Sequence, residues 1–167
     1  MILCESEPGN NSFFKINLIR IKNTNPQLQI TMVNYWLAKQ EPKSYNFATL
    51  KKEVKTVWDG VHNNLALKHI SNMKKGDLIL FYHSGDEKQA VGIMEVISKP
   101  YSNPKEKNER FLVFDVKYKK ELANPVTLAE MKKQKKFKSW ELLRISRLSV
   151  MPVPEEIWNS IMKMSGK

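Results

Sequence analysis

The sequence predicts an α+β domain: a mixed, partly closed β-barrel of about five to six short strands, with short helices on its flanks. Three observations carry that expectation. Short apolar, strand-like runs recur along the chain. Capped, helix-period segments of only two or three turns interrupt them, as in small mixed barrels. The length of 167 residues, with 41% hydrophobic residues, suits one domain with a real core.

The elements are read in chain order. Met1–Thr31 differs in character from the rest of the chain: apolar Phe13–Ile21 stands between Gly9-Asn10-Asn11-Ser12 and Asn23-Thr24-Asn25-Pro26. Lys15, Asn17 and Arg20 break the apolar portion, so it is a poor signal peptide, and its mixed charge makes it a poor transit peptide. Residues 1–31 are expected to be a dispensable N-terminal extension, read from an upstream start codon, or else an extra β-ribbon docked through Phe13–Ile21. Residues 32–167 form the domain. Met32 opens a strand that continues over Val33–Lys39. Asn46 caps a short helix with Phe47, Leu50 and Val54, and Asn63–Met73 forms a second helix that Gly76 ends. Leu78–His83, Ala90–Ile97 and Arg110–Lys119 are strands, antiparallel neighbours by loop length. Thr127-Leu128-Ala129-Glu130 is a capping box that starts a helix after Pro125. Lysine-rich Lys132–Lys138 finishes that helix or forms an exposed loop. Leu148–Val153 is the last strand, and Pro154 opens a final helix with Glu155 and Glu156 at its positive end.

The net charge is +11, carried mostly by Lys, which suits general attraction of polyanions better than bidentate base reading. Nucleic acid is the expected partner. The single Cys4 forms no internal disulfide, no Cys/His cluster has zinc-ligand spacing, and no apolar run approaches the roughly 20 residues of a membrane span. No cofactor, metal or membrane is therefore expected, and the chain is expected to be a cytoplasmic monomer, nucleoid-associated in a bacterium or nuclear in a eukaryote.

Four constellations offer chemistry. In Thr56–Asn64, Trp58 beside Asp59-Gly60 offers an aromatic face on a tight turn, Asp59 an acceptor for an exocyclic amine, and Asn63 or Asn64 a helix cap with free N–H groups. A core Trp on a plain turn explains the same residues equally well. Tyr82-His83-Ser84 ends a strand, where His83 is a candidate base, but no carboxylate or nucleophile has triad spacing around it. A hydrogen-bonded structural histidine is the simpler reading. In Tyr35–Pro42, alternation sends Tyr35, Leu37 and Lys39 to one face and Trp36 and Ala38 to the other, with Lys39, Gln40 and Glu41 at the strand end. Arg147 and Ser149 precede the last strand, and Arg147 suits a phosphate or the face of a base. Phosphate loops, Rossmann glycines, paired acids and deaminase motifs are absent, so no enzyme class has positive support.

The segment from Met32 to about Met162 resembles the EVE domain, found in bacteria and in the thymocyte nuclear protein family. The residues that carry the resemblance are Tyr35–Pro42, Val57–Asn63, Met73–Asp77, Leu80–Ser84, Val91–Val96, Pro125–Leu128 and Arg147–Val153. It implies a PUA-like barrel related to YTH and ASCH domains, and a non-catalytic reader of a base, with modified cytosine in DNA favoured over RNA. It also implies a pocket drawn from Trp36, Lys39, Glu41, Trp58, Asp59, Gly60, Asn63, Tyr82, His83, Ser84, Arg147 and Ser149. In that reading Trp58 stacks, Asp59 meets the base edge, and Ser84 and Lys39 make polar or phosphate contacts. Trp58→Ala is then expected to abolish base discrimination and leave folding intact. The alternatives are an RNA- or tRNA-binding module of the PUA or ASCH sort, and a small hydrolase using His83 and Lys39. Two positions depart from the family pattern: Gln40 where Ser is usual and His62 where Arg is usual.

Overall fold

The computed structural model describes residues 33–166. Both readings of residues 1–31, as extension or as docked ribbon, lie outside the described residues. The chain forms β1 (Tyr35–Gln40), α1 (Phe47–Glu53), β2 (Lys55–Trp58), α2 (Asn64–Ser71), β3 (Leu78–His83), β4 (Gln89–Val96), β5 (Tyr101–Ser102) and β6 (Leu112–Thr127). It continues through α3 (Leu128–Lys133), a 3₁₀ turn at Lys135–Phe137, α4 (Glu141–Arg144), β7 (Val150–Pro152) and α5 (Glu155–Met164). Six strands form one path, β2-β6-β4-β3-β1-β7, and β5 adds to β6. The architecture is the expected α+β half-barrel with short flanking helices.

Local chemistry sets many boundaries. Asn46 caps α1 by accepting from the Thr49 N–H, and Asn63 caps α2 by accepting from Leu65 and Ala66. Thr127 and Glu130 close the capping box of α3 from both sides. The second helix stops at Ser71, earlier than expected. Gly76, at φ +96°, instead shapes the turn into β3. That turn wraps around Asp77, which is buried and accepts from the Asn34 and Lys74 backbone N–H groups and from Trp36 Nε1 at 2.9 Å.

β1 and β3 pair in parallel, while β3–β4, β4–β6, β2–β6 and β1–β7 pair antiparallel. β6 runs well past the expected end at Lys119. Register shifts opposite Ala90–Gly92 and Ile93–Met94 place extra residues on β6 and bend the sheet there. The curl closes over Phe47, Phe81, Phe114 and Trp58. The Phe47 ring lies on Gly92, where a Cβ would overlap it, and meets Phe81 and Tyr118 at 5.2 and 5.3 Å between ring centres.

A candidate base-binding cleft

Alternation along paired strands divides the sequence candidates between two faces. Ala38 and Gln40 share a face with their partners Phe81 and His83, and Lys39 shares the opposite one with Tyr82. The Phe81 face is the concave one, since Trp58 meets Phe81 edge-on at 5.3 Å. On the other face α5 packs, with Trp158 stacked on Tyr35 at 4.3 Å.

A cleft of about 360 Å³ opens beside Trp58, lined by Gln40, Tyr45, Thr56, Val57, Trp58, Asp59 and Lys105. β2 supplies Thr56, Val57 and Trp58, and the end of β1 supplies Gln40. Trp58 is 5% exposed, covered by Phe81 and by Phe114, which stacks on it at 6.5 Å. Most of the indole therefore belongs to the core, which corrects the expectation that truncating it spares folding. Asp59 comes next in the chain, and Gly60 turns the backbone at φ +73°.

The Asp59 carboxylate is engaged: Lys105 Nζ lies 2.9 Å from Oδ2. Next to it, His62 faces Glu106 at 3.3 Å and stands edge-on to Phe111 at 4.7 Å. These exposed contacts fasten the segment after β5 to the turn after β2, across the mouth of the cleft. Tyr45 donates to Glu53 at 2.7 Å. Burial and that hydrogen bond push its hydroxyl up to about 12, so it stays protonated and serves the cleft as a neutral group.

The other candidates are placed apart from Trp58. Trp36 is buried near the start of β1 and spends its N–H on Asp77. Lys39, on the other face, donates to the Ser146 carbonyl at 3.1 Å, and burial lowers its pKa. Tyr82 is buried on the same face, which raises its hydroxyl to about 12. Asn63 is consumed in capping α2. His83 accepts from the Phe47 N–H at Nε2 and meets Glu87 at 2.7 Å through Nδ1, so neither nitrogen is free for a substrate. That hydrogen bond holds the Glu87 carboxyl below its ordinary range. Glu41 and His83 line a second depression of about 440 Å³ with Asn46, Asp86 and Glu87. Ser84 donates its backbone N–H to the Gln40 carbonyl, and Ser149 offers its carbonyl to Lys39 N. Arg147 is exposed just before β7.

Of the expected pocket residues, the cleft thus gathers Trp58 and Asp59. It adds Gln40, already noted as a departure, and Tyr45, Thr56, Val57 and Lys105. Thr56 and Val57 stood in the Trp58 motif; alternation sets Thr56 on the Trp58 face, and Val57 reaches the cleft from the exposed side of the strand. Lys105 is 46 positions from Asp59, and no local pattern announces that pairing. Among the described residues, no group of three His, Cys, Asp or Glu stands close enough to hold a metal ion, and no helix is long and apolar enough to cross a membrane.

A curled mixed half-barrel of this strand order, with an aromatic and polar cleft on its concave side, is a PUA-like domain. The EVE domain family model matches residues 34–164, and the chain belongs to that family. It is 26% identical to human thymocyte nuclear protein 1 over 191 residues, covering 90% of this chain and 85% of the relative. A solved protein from Rhodopseudomonas palustris is 38% identical, with TM-score 0.75 over 80% of this chain and 94% of that one. Human THYN1, solved in complex with DNA containing 5-methylcytosine, is 26% identical, with TM-score 0.73 over 80% of this chain and 98% of that one.

Proposed function

We propose that the chain is a non-catalytic, monomeric reader that takes one base of nucleic acid into the Trp58 cleft, with modified cytosine in DNA as the favoured base. The cleft itself carries the reading. It sets an apolar wall of Trp58 and Val57 beside a carboxylate at Asp59, with the Gln40 amide and Thr56 hydroxyl completing a polar rim. The solved complex of human THYN1 with 5-methylcytosine-containing DNA supports it. The net charge of +11 supports a polyanionic partner. A reader of genomic DNA works in the nucleoid or the nucleus.

In this reading an extruded base enters edge-first and its exocyclic amine replaces Lys105 at Asp59. Extrusion costs a few kcal/mol, and the little of Trp58 left uncovered returns less than the ~1–3 kcal/mol of a full base–aromatic stack. Lysine contacts with the phosphates supply the rest, so affinity falls with salt. A buried methyl adds about 0.8 kcal/mol, roughly fourfold in affinity, so preference for the modified base is modest unless a polar group assists. Against a hydrolase, His83 is bonded at both nitrogens and Lys39 lies on the opposite face of the sheet.

The test is titration at fixed salt against matched DNA oligonucleotides bearing plain, methylated and hydroxymethylated cytosine, alongside RNA equivalents. The expected result is a modest preference for a modified cytosine in DNA, and in Asp59→Ala an affinity for plain and modified DNA alike reduced roughly tenfold or more, as loss of a hydrogen bond to a charged group implies. Equal, salt-sensitive binding to every oligonucleotide overturns the pocket, and a requirement for the 2′-hydroxyl replaces DNA with RNA.

A further inference from the structure

The lysine run from Lys132 to Lys138 has no part in the cleft. Lys132, Lys133, Lys135, Lys136 and Lys138 are all exposed, while Met131 and Phe137 within the same stretch are fully buried. Phe137 packs edge-on against Trp140 at 6.0 Å. The two buried anchors fix α3 and the 3₁₀ turn against the core. The lysines are therefore carried on an ordered platform, with their ammonium groups directed to solvent.

The charge on this platform is largely uncompensated: after the hydrogen bonds from Thr127, only a weaker pull from Lys133 helps hold the Glu130 carboxyl below its ordinary value. Several exposed lysines elsewhere find carboxylates: Lys51 pairs with Glu121, Lys117 and Lys119 with Glu95, and Lys43 with Asp86. No ion pair within 4 Å engages a lysine of 132–138 among the described residues. Glu130, the nearest acid in sequence, is held in the capping box by Thr127, and Glu141 faces His69. Lysine in the last turn of a helix gains a few tenths of a kcal/mol from the dipole, which accounts for Lys132 and Lys133 in α3; Lys135 and Lys136 stand on a 3₁₀ turn of three residues, too short for much of a dipole, and Lys138 lies beyond it. A concavity of about 420 Å³ adds to the patch. Lys136 and Gln134 line it from one side, and Lys163 and Ser160 of α5 from the other. Two cations and an amide donor from separate elements facing one hollow suit the oxygens of a phosphodiester.

We infer that α3, the 3₁₀ turn after it and the C-terminal end of α5 form a second contact surface, which grips the phosphodiester backbone of duplex DNA while the Trp58 cleft handles the base. The surface rests on the nucleic-acid reading and gives affinity without sequence information. Its lysines act as point charges, so their signature is counterion release.

The experiment compares two variants matched in charge, Lys135→Gln/Lys136→Gln/Lys138→Gln on the platform and Lys51→Gln/Lys117→Gln/Lys119→Gln at paired lysines. Binding to duplex DNA with plain or 5-methylated cytosine is measured from about 50 to 200 mM salt, and far-ultraviolet circular dichroism and melting report folding. Each phosphate no longer neutralised by a lysine lowers the slope of log affinity against log salt by about 0.9, so the platform triple should flatten it by about 2 to 3. Its affinity should fall at least tenfold at low salt, with the ratio between methylated and plain DNA unchanged. The paired-lysine triple should keep most of the wild-type slope. Equal reductions in both variants overturn the surface in favour of net charge alone, and a wild-type slope in the platform triple overturns it outright. A wild-type protein that binds no duplex DNA overturns the DNA reading and the surface with it, which separates that failure from failure of the surface alone.

Discussion

Replacing Trp58 by Ala should unfold the domain more readily before it says anything about binding. Trp58 is 5% exposed, edge-on to Phe81 at 5.3 Å and stacked with Phe114 at 6.5 Å. Truncating a buried aromatic to Ala costs about 3–5 kcal/mol, of which the two ring pairs account for about 1–3 kcal/mol. At roughly 3–4 °C per kcal/mol for a chain of this size, melting should fall by roughly 10–20 °C. Trp58→Phe keeps a ring against Phe81 and should cost about 1–2 kcal/mol, since less volume is removed. Thermal melting and urea titration read the stability, and titration with methylated and plain DNA reads the cleft at a temperature where each variant is folded. Melting of Trp58→Ala within about 2 or 3 °C of wild type, on the order of one kcal/mol, would refute the placement of this indole in the core. Unchanged base preference in folded Trp58→Phe would remove the indole from recognition while leaving its structural part intact.

Other perturbations test the supports of the cleft. Gly92→Ala forces a Cβ into the Phe47 ring and should cost about 1–3 kcal/mol by urea titration; Phe47→Leu in the same chain should recover part of it, and strict additivity would argue against the overlap. Asp77→Asn puts an amide among donors that all point at a carboxylate and should cost about 2–4 kcal/mol; a loss under about 1 kcal/mol would mean that Trp36 and Lys74 find other acceptors. Hydrogen bonding from Lys119, and then from Lys117, holds the Glu95 carboxyl below its ordinary value of 4.5. Its folded value is depressed, so its contribution is complete above about pH 5 and is lost as pH falls through that lowered value. The lysines are partly exposed, so the difference in stability between wild type and Glu95→Gln should stay under about 1 kcal/mol at about pH 7 and vanish once the pH lies below that lowered value; a difference that persists in acid would reject the ion pair as its source.

The features legible in the sequence are those set within a few residues. Asn46, Asn63 and Thr127–Glu130 cap helices because side chain and backbone N–H are local partners. Leu78–His83 and the strand near 90–97 show themselves by continuous apolar runs. β2 escapes detection because it has four residues, of which Lys55 and Val57 point to solvent. β6 escapes beyond Lys119 because its bulges break alternation and its Pro125 reads as a stop, although the strand continues through it to Thr127. In the site, Trp58 and Asp59 are recognisable as neighbours on one turn. Alternation within Leu78–His83 already separates Tyr82 from Phe81 and His83, but that Lys39 joins the Tyr82 face depends on register between β1 and β3, which pairing fixes and composition does not. Lys105 reaches Asp59 only because the segment after β5 folds back, so its part in the cleft is a property of the fold.

The strands at the two ends of the six-strand path are short, β2 with four residues and β7 with three. β7 ends on Pro152, which has no N–H to donate to a further strand. A half-barrel left open in this way offers a second molecule very little backbone on which to extend the sheet. Edges this short, one of them closed by a proline, disfavour the zipping of sheet onto sheet that builds fibrous aggregates, and the barrel has that protection without having to close.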